Sequence, residues 1–272
     1  MRLEILDHGH RLRAKLFMGA TAAMSRVDTP DIVRTLLYRP GFMTRPLLDL
    51  TAPAMRGPSF WTAGEREFLA MSIARTHECP FCVDTHAHLV GLASRGEIGL
   101  DRQRPEVLAI AKFLSERNQG RHADTDLPAE AVQQALRVNL VWGIVNRLAN
   151  AFGFQLRPGQ LETGTKNLHR FGYRFPAFLL AEGGRRTGDP IADLRYSVFE
   201  GPGVTDLTTR RTAATGDVWG GYAKTVRDAS YRVTDADVEA LREAGHSEDA
   251  IFEVTVAAAT GAALRTFEST QD

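Results

Sequence analysis

Apolar residues recur at helical spacing through most of this chain, and few runs alternate in the way that strands require. The clearest case starts at Thr62-Ala63-Gly64-Glu65, a capping box, and continues through Phe68, Leu69, Met71, Ser72 and Ile73 to about His77. A second helix is expected from Pro80 to Ser94, closed near Gly96. Pro105 to Arg117 reads as a third, and Pro128 to Phe152 carries one or two more. Gly153 and the Arg157-Pro158-Gly159 turn close this half. Upstream, residues 10–25 and 29–38 read as short helices. Thr29-Pro30-Asp31 opens the latter and Pro40-Gly41 ends it. Leu47, Leu48, Leu50 and Met55 form a further short apolar helix or turn.

Residues 155–210 are less regular, rich in glycine, proline and arginine, with clusters such as Glu182-Gly183-Gly184-Arg185-Arg186. They read as a connector with one or two short helices. From Gly216 helices return, with N-terminal signals at Thr234-Asp235-Ala236-Asp237 and Ser247-Glu248-Asp249. A weak echo links Gly143 and Arg147 to Gly261 and Arg265, and Ile110-Ala111-Lys112 to Tyr222-Ala223-Lys224. The expected organisation is an N-terminal helical extension (1–58), a helical unit (59–155), an irregular connector (156–215) and a second, cysteine-free helical portion (216–272).

Composition excludes several partners. The 33 basic and 33 acidic side chains cancel, so no bulk charge favours nucleic acid or an anionic membrane. No stretch approaches the ~18 uninterrupted apolar residues that span a bilayer; Leu136 to Phe154 is broken by Arg137, Asn139, Asn146 and Arg147. Near the N-terminus, Glu4 and Asp7 spoil the positive leader of a signal peptide. The expected setting is the reducing cytoplasm.

Both cysteines of the chain stand in Cys79-Pro80-Phe81-Cys82, with His86 four residues beyond. A disulfide-stapled scaffold would need more cysteines at wider spacing, so the pair points to thiol chemistry or metal. On a helix starting at Pro80, Cys79, Cys82 and His86 share one face. The helix mouth favours a thiolate, and the second cysteine can close a disulfide onto any sulfenic acid formed. His86 fits as a proton carrier, and Glu67 on the preceding helix could orient or charge it.

Three other readings stay open on these residues. His77, Cys79, Cys82, His86 and His88 could ligate zinc. The thiols could be inert core residues. A glutaredoxin-like site is disfavoured because the residues before Cys79 carry a helix period rather than a strand. Phe60, Trp61 and Trp142 could line a pocket near the motif, though large aromatics on helices are more often core, and Arg147 and Arg265 read as paired structural charges or subunit contacts.

The string Glu67-x11-Cys79-x2-Cys82-x3-His86 resembles the alkylhydroperoxidase D-like, carboxymuconolactone decarboxylase superfamily. Arg66-Glu67-Phe68-Leu69-Ala70 and Val145 to Phe152 are similar to the flanking helices of that family, and residues 234–267 resemble its helical portion again. The resemblance implies an all-α fold with a pseudo-duplicated unit, assembled as a homo-oligomeric trimer or hexamer. It implies a thiol-dependent peroxidase acting on an alkyl hydroperoxide, with no cofactor and no metal. Cys82 would become the sulfenic acid and Cys79 would resolve it. Glu67 and His86 would relay protons through an ordered water. The electron donor, a thiol or lipoyl-type dithiol, is not specified by the resemblance. Alkylhydroperoxidase D proper has a histidine just before the second cysteine, where this chain has Phe81, so the relay is expected to be shorter. The competing class is a non-catalytic helical oligomer that senses oxidation or binds zinc.

Overall fold

Caps and prolines place most helix boundaries where the pattern predicts them in the computed structural model, which describes residues 1–181 and 186–269. Glu182, Gly183, Gly184 and Arg185 of the glycine- and arginine-rich cluster lie outside the described residues. Among those described, fourteen α-helices form and no β-strand, Gly99 and Arg102 making an isolated bridge. The helices are α1 (Ile5–His8), α2 (Leu12–Ser25), α3 (Asp31–Tyr38), α4 (Arg45–Arg56), α5 (Ala63–Thr76), α6 (Pro80–Ala93) and α7 (Pro105–Asn118). They continue with α8 (Ala129–Phe152), α9 (Gln160–Phe171), α10 (Pro190–Phe199), α11 (Leu207–Thr215), α12 (Tyr222–Ala229), α13 (Asp235–Glu243) and α14 (Glu248–Glu268).

The Thr62 capping box forms as read: Glu65 Oε2 accepts from the Thr62 N–H at 2.8 Å, and the Thr62 hydroxyl accepts from the Glu65 N–H at 3.3 Å. Ala129–Phe152 makes one unbroken helix, ended by Gly153 at φ 67°, a left-handed conformation that glycine adopts without steric cost.

The helix read over 29–38 ends at Tyr38, just ahead of Pro40-Gly41 as expected, and Pro40–Thr44 then forms a π-helical turn leading into α4. Proline at its first position loses no hydrogen bond, and the Thr44 hydroxyl donates to the Leu36 carbonyl at 2.6 Å. One expectation needs correction. The stretch 156–215 holds three helices, α9 to α11, rather than one or two in an irregular connector. Asp189 and Asp206 cap α10 and α11. These helices bury only a few residues each, too short a run to establish a period against the surrounding glycines and prolines.

The helices gather on two long axes. α4, α5, α6 and α7 pack on α8; α10, α11, α12 and α13 pack on α14; and α8 packs on α14. α14 is the one described helix with the length and apolarity to cross a membrane, which the run through Leu136 did not predict. Most of it is buried in the protein, where its alanines, Thr260 and Gly261 admit close neighbours. A Cβ on Gly261 would fall 2.5 Å from that of Ala214, and one on Gly143 would fall 3.3 Å from that of Ala263.

A corner recurs in both halves. Gly57-Pro58, the N-cap Thr62 and Arg66 on α5 correspond at one constant offset to Gly201-Pro202, the N-cap Asp206 and Arg210 on α11. Arg66 donates to the carbonyls of Ala54 and Gly57 at 3.2 and 2.9 Å. Arg210 donates to those of Val198 and Gly201 at 3.0 and 2.7 Å. The same offset carries Cys79, Cys82 and His86 onto Ala223, Val226 and Ser230, all buried. The echo between 110–112 and 222–224 does not fall at this offset, whereas Gly143/Arg147 and Gly261/Arg265 stand on the two axes.

Among the described residues neither axial arginine is paired with a carboxylate, one of the two roles expected of them. Arg147 donates to the carbonyls of Arg227 and Gly143, both at 2.8 Å, and Arg265 to that of Ala214. Burial and the nearby Arg265 charge bring the Arg147 guanidinium down to about 10.

Candidate active site

α5 and α6 form a tight helical hairpin joined by His77, Glu78 and Cys79. The reversal is made by Glu78 at φ 50° and held by the Cys79 N–H, which donates to the Ala74 carbonyl at 2.9 Å. Cys79 is then the N-cap residue of α6, Pro80 its first helical position, and Cys82 and His86 follow on its inner face. Glu67 comes from α5, one helix away. All four residues singled out from the sequence are buried: Glu67 at 0%, Cys79 and His86 at 1% and Cys82 at 2% exposure.

Glu67 and His86 are in direct contact. His86 Nδ1 lies 2.7 Å from Glu67 Oε2, so no ordered water separates them as the resemblance implied. Burial pushes the Glu67 carboxyl up, but its hydrogen bond to His86 and the charges of His86 and Arg56 outweigh that, and the net direction is down. An ionised carboxylate only accepts, so the shared proton sits on Nδ1, leaving Nε2 as the nitrogen able to take a further proton.

Two residues that the sequence reading missed complete the carboxylate's shell. Arg56, from the last turn of α4, donates to Glu67 Oε1 at 2.6 Å. The Tyr173 hydroxyl, just past α9, donates to both carboxylate oxygens at 2.8 and 2.9 Å. The Arg56 guanidinium also lies 5.0 Å from the centre of the Tyr173 ring. Burial and the Glu67 charge push the Tyr173 phenol well above its usual range, so it remains a donor. No spacing rule links residue 56 or 173 to the motif; both lie in segments expected to be peripheral.

Trp142 is buried and also lines the cavity at the motif, the alternative its sequence reading held open. Its ring meets the His86 ring edge-on at 4.0 Å, and its Nε1–H points at the Met55 sulfur at 3.2 Å. Trp61 is buried as expected, its indole donating to the Ala131 carbonyl at 2.8 Å. Phe81 packs edge-on against Phe154 at 5.4 Å and adds no proton carrier.

The helix mouth does not leave Cys82 activated at rest. Burial, followed by its hydrogen bond to Cys79, pushes the Cys82 thiol well above its ordinary value. Cys82 and His86 line a common apolar cavity of about 90 Å3, with Phe81, Trp142, Tyr173 and Phe175 among its walls. A base facing that cavity is therefore what the thiol needs to react.

Of the five residues considered for zinc, His88 and His86 have other partners. His88 Nδ1 lies 2.6 Å from the Thr165 hydroxyl on α9, and His86 is engaged by Glu67. Burial and the charge of Arg147 push the His77 imidazole well below its usual value. Among the described residues no three histidine, cysteine or acidic side chains gather as a metal would require.

Fold and site together define a class: an all-helical protein with a buried dithiol beside a carboxylate–imidazole pair. Compared with protein-family models, curated proteins and solved structures, the chain matches none.

Proposed function

We propose that this chain is a thiol-dependent peroxidase of the alkylhydroperoxidase D-like kind, reducing an organic hydroperoxide through a Cys79–Cys82 disulfide. The observation that carries this reading is the 2.7 Å contact between Glu67 and His86, on the wall of the cavity that holds Cys82. A carboxylate that fixes one imidazole nitrogen leaves the other to move protons, the base-plus-orienter arrangement of activated nucleophiles. His86 Nε2 takes the Cys82 proton as the peroxide arrives, and the sulfur attacks the distal peroxide oxygen. The same proton then goes to the leaving alkoxide. Cys79, near enough to Cys82 to raise its thiol, displaces water from the sulfenic acid to close the disulfide. A thiol or lipoyl-type dithiol returns the pair to the reduced state. A cytoplasmic homo-oligomer, trimeric or hexameric, is part of this reading.

The helical unit belongs to the same proposal. The recurring Gly-Pro, N-cap and arginine corner supports two copies of one unit, α4–α8 and α10–α14. The second carries Ala223, Val226 and Ser230 where the first has its redox residues, and Arg211 where the first has Glu67.

Mass spectrometry after one equivalent of an organic hydroperoxide tests the reading. The expected result is loss of two hydrogens from the wild type and no disulfide in Cys82→Ser. Burial of both thiols favours the rival reading of a sensor without turnover. Thiols that stay reduced while zinc co-purifies stoichiometrically would remove the peroxidase; a disulfide that forms once, with no sustained peroxide loss in the presence of dithiols, would make it a sensor.

A further inference from the structure

The cavity at Cys82 is too small for more than the hydroperoxide head of a long organic peroxide. Its volume of about 90 Å3 corresponds to roughly three waters at ~30 Å3 each. A second cavity, of about 630 Å3, lies against it, within the ~300–1,000 Å3 of ordinary small-molecule sites. Val33, Leu168, Tyr173 and Phe175 line both. Tyr173, whose hydroxyl holds Glu67, is therefore also a wall between the outer space and the thiol.

The outer cavity opens between α2 and α9. α2 is anchored by a small cluster of Ala14 and Met18 with Leu37 and Leu179, which leaves the space beside it unfilled. Phe17, Ala22, Val27 and Pro30 give it apolar sides. Arg170 and Arg174 stand on its lining as exposed side chains with no ion pair to a carboxylate among the described residues. Asp28 is the acidic residue on the lining. An apolar chamber with two cations at its edge is complementary to a long hydrocarbon ending in an anion.

We propose that the outer cavity holds the tail of the peroxide, and that the substrate is a long-chain fatty-acid hydroperoxide whose carboxylate meets Arg170 and Arg174. This rests on the peroxidase reading above. Hydrogen peroxide has no apolar surface to bury there, whereas every methylene of an acyl chain gains by leaving water. With the tail outside, only the hydroperoxide group passes Tyr173 into the inner cavity. Cys82 Sγ bonds to the distal oxygen as the O–O bond breaks, and the alkoxide takes a proton and leaves as the hydroxy fatty acid. Cys79 then attacks the sulfenic acid, an S–S bond forms, and water departs. The dithiol supplies both electrons and both protons.

Two measurements on the full chain test this. Oleate, which has tail and carboxylate but no peroxide, is titrated calorimetrically. Single-turnover thiol loss is followed with linoleic acid hydroperoxide and with hydrogen peroxide, and the two rate constants are taken as a ratio. Filling the cavity with Ala22→Phe should lower that ratio, and weaken oleate, by about tenfold or more, the scale of losing about two buried methylenes' worth of contact. The surface pair Arg170→Glu with Arg174→Glu should act in the same direction and reports even where Ala22→Phe fails to fold. If both peroxides oxidise the wild type but oleate does not bind, or neither variant moves the ratio, the outer cavity is not the tail site. If no peroxide oxidises the thiols while oleate binds and both variants weaken it, the peroxidase reading falls, and with it the substrate assignment, and the fatty-acid site stands.

Discussion

The Tyr173 hydroxyl bridges both carboxylate oxygens of Glu67, at 2.8 and 2.9 Å, across 106 residues of chain. That contact ties α9, in a stretch read as a connector, to the buried carboxylate of α5. It also keeps Glu67 from turning away from His86. Tyr173→Phe removes the donor and leaves the ring. Hydrogen bonds to charged groups contribute ~1.5–3 kcal/mol, so urea unfolding should show a loss in that range. Peroxide turnover should fall as well, with the acid limb of its pH profile displaced upward. An unchanged profile would mean that Tyr173 only fills space.

Glu67→Gln and His86→Ala address the proton path. Each should slow the thiol oxidation step by roughly 10²-fold or more if the pair moves protons. Stopped-flow loss of thiols with excess hydroperoxide reads this directly, and rates within a factor of two of wild type would rule the role out.

The lowered carboxyl of Glu67 predicts acid sensitivity. A group whose folded value lies below its unfolded value of about 4.3 stabilises the fold above that pH. The contribution is lost as pH falls through the folded value, because the unfolded chain then binds the proton more readily. Urea midpoints measured from neutral pH down to about pH 3 should decline, and Glu67→Gln should flatten that decline.

The raised thiol of Cys82 has the opposite sign. Its neutral form is the one the fold favours, so this stabilisation is complete below the ordinary thiol value of about 8.5 and is lost as pH rises through the folded value. Iodoacetamide should label Cys82 far more slowly at neutral pH in the native protein than in urea, and the native rate should climb only in alkali. Fast native labelling at neutral pH would contradict a buried resting thiol.

Arg210 offers a test of the second half. Its guanidinium is 1% exposed and holds the carbonyls of Val198 and Gly201. Arg210→Met would strand two buried acceptors at ~1–3 kcal/mol each. Denaturation should therefore register a loss of several kcal/mol, while the thiol oxidation rate of the folded fraction stays at the wild-type value.

Local signals accounted for the helical hairpin. The capping box at Thr62, the proline at position 80 and the helical period between them put Glu67, Cys79, Cys82 and His86 in reach of one another, because neighbouring helices joined by a short turn must lie side by side. The recurring corner was harder to see. The apolar positions around it are interchangeable, and Gly143 with Arg147 was a faint trace of likeness between the two halves. The buried arginines that bind corner carbonyls, Arg66 and Arg210, show the correspondence through their hydrogen bonds rather than through their neighbours in sequence.

The amino-acid sequence by itself determined that the chain is helical, where its central helices begin, and which four side chains the α5–α6 hairpin buries together; these depend on caps, prolines and periodicity acting over a few residues. Only the tertiary structure decided that Arg56 and Tyr173 close around Glu67, that His86 touches Glu67 without a water between, and that Cys82 rests as a raised thiol. Those facts depend on which distant surfaces exclude water together, and burial is a property of the packed whole.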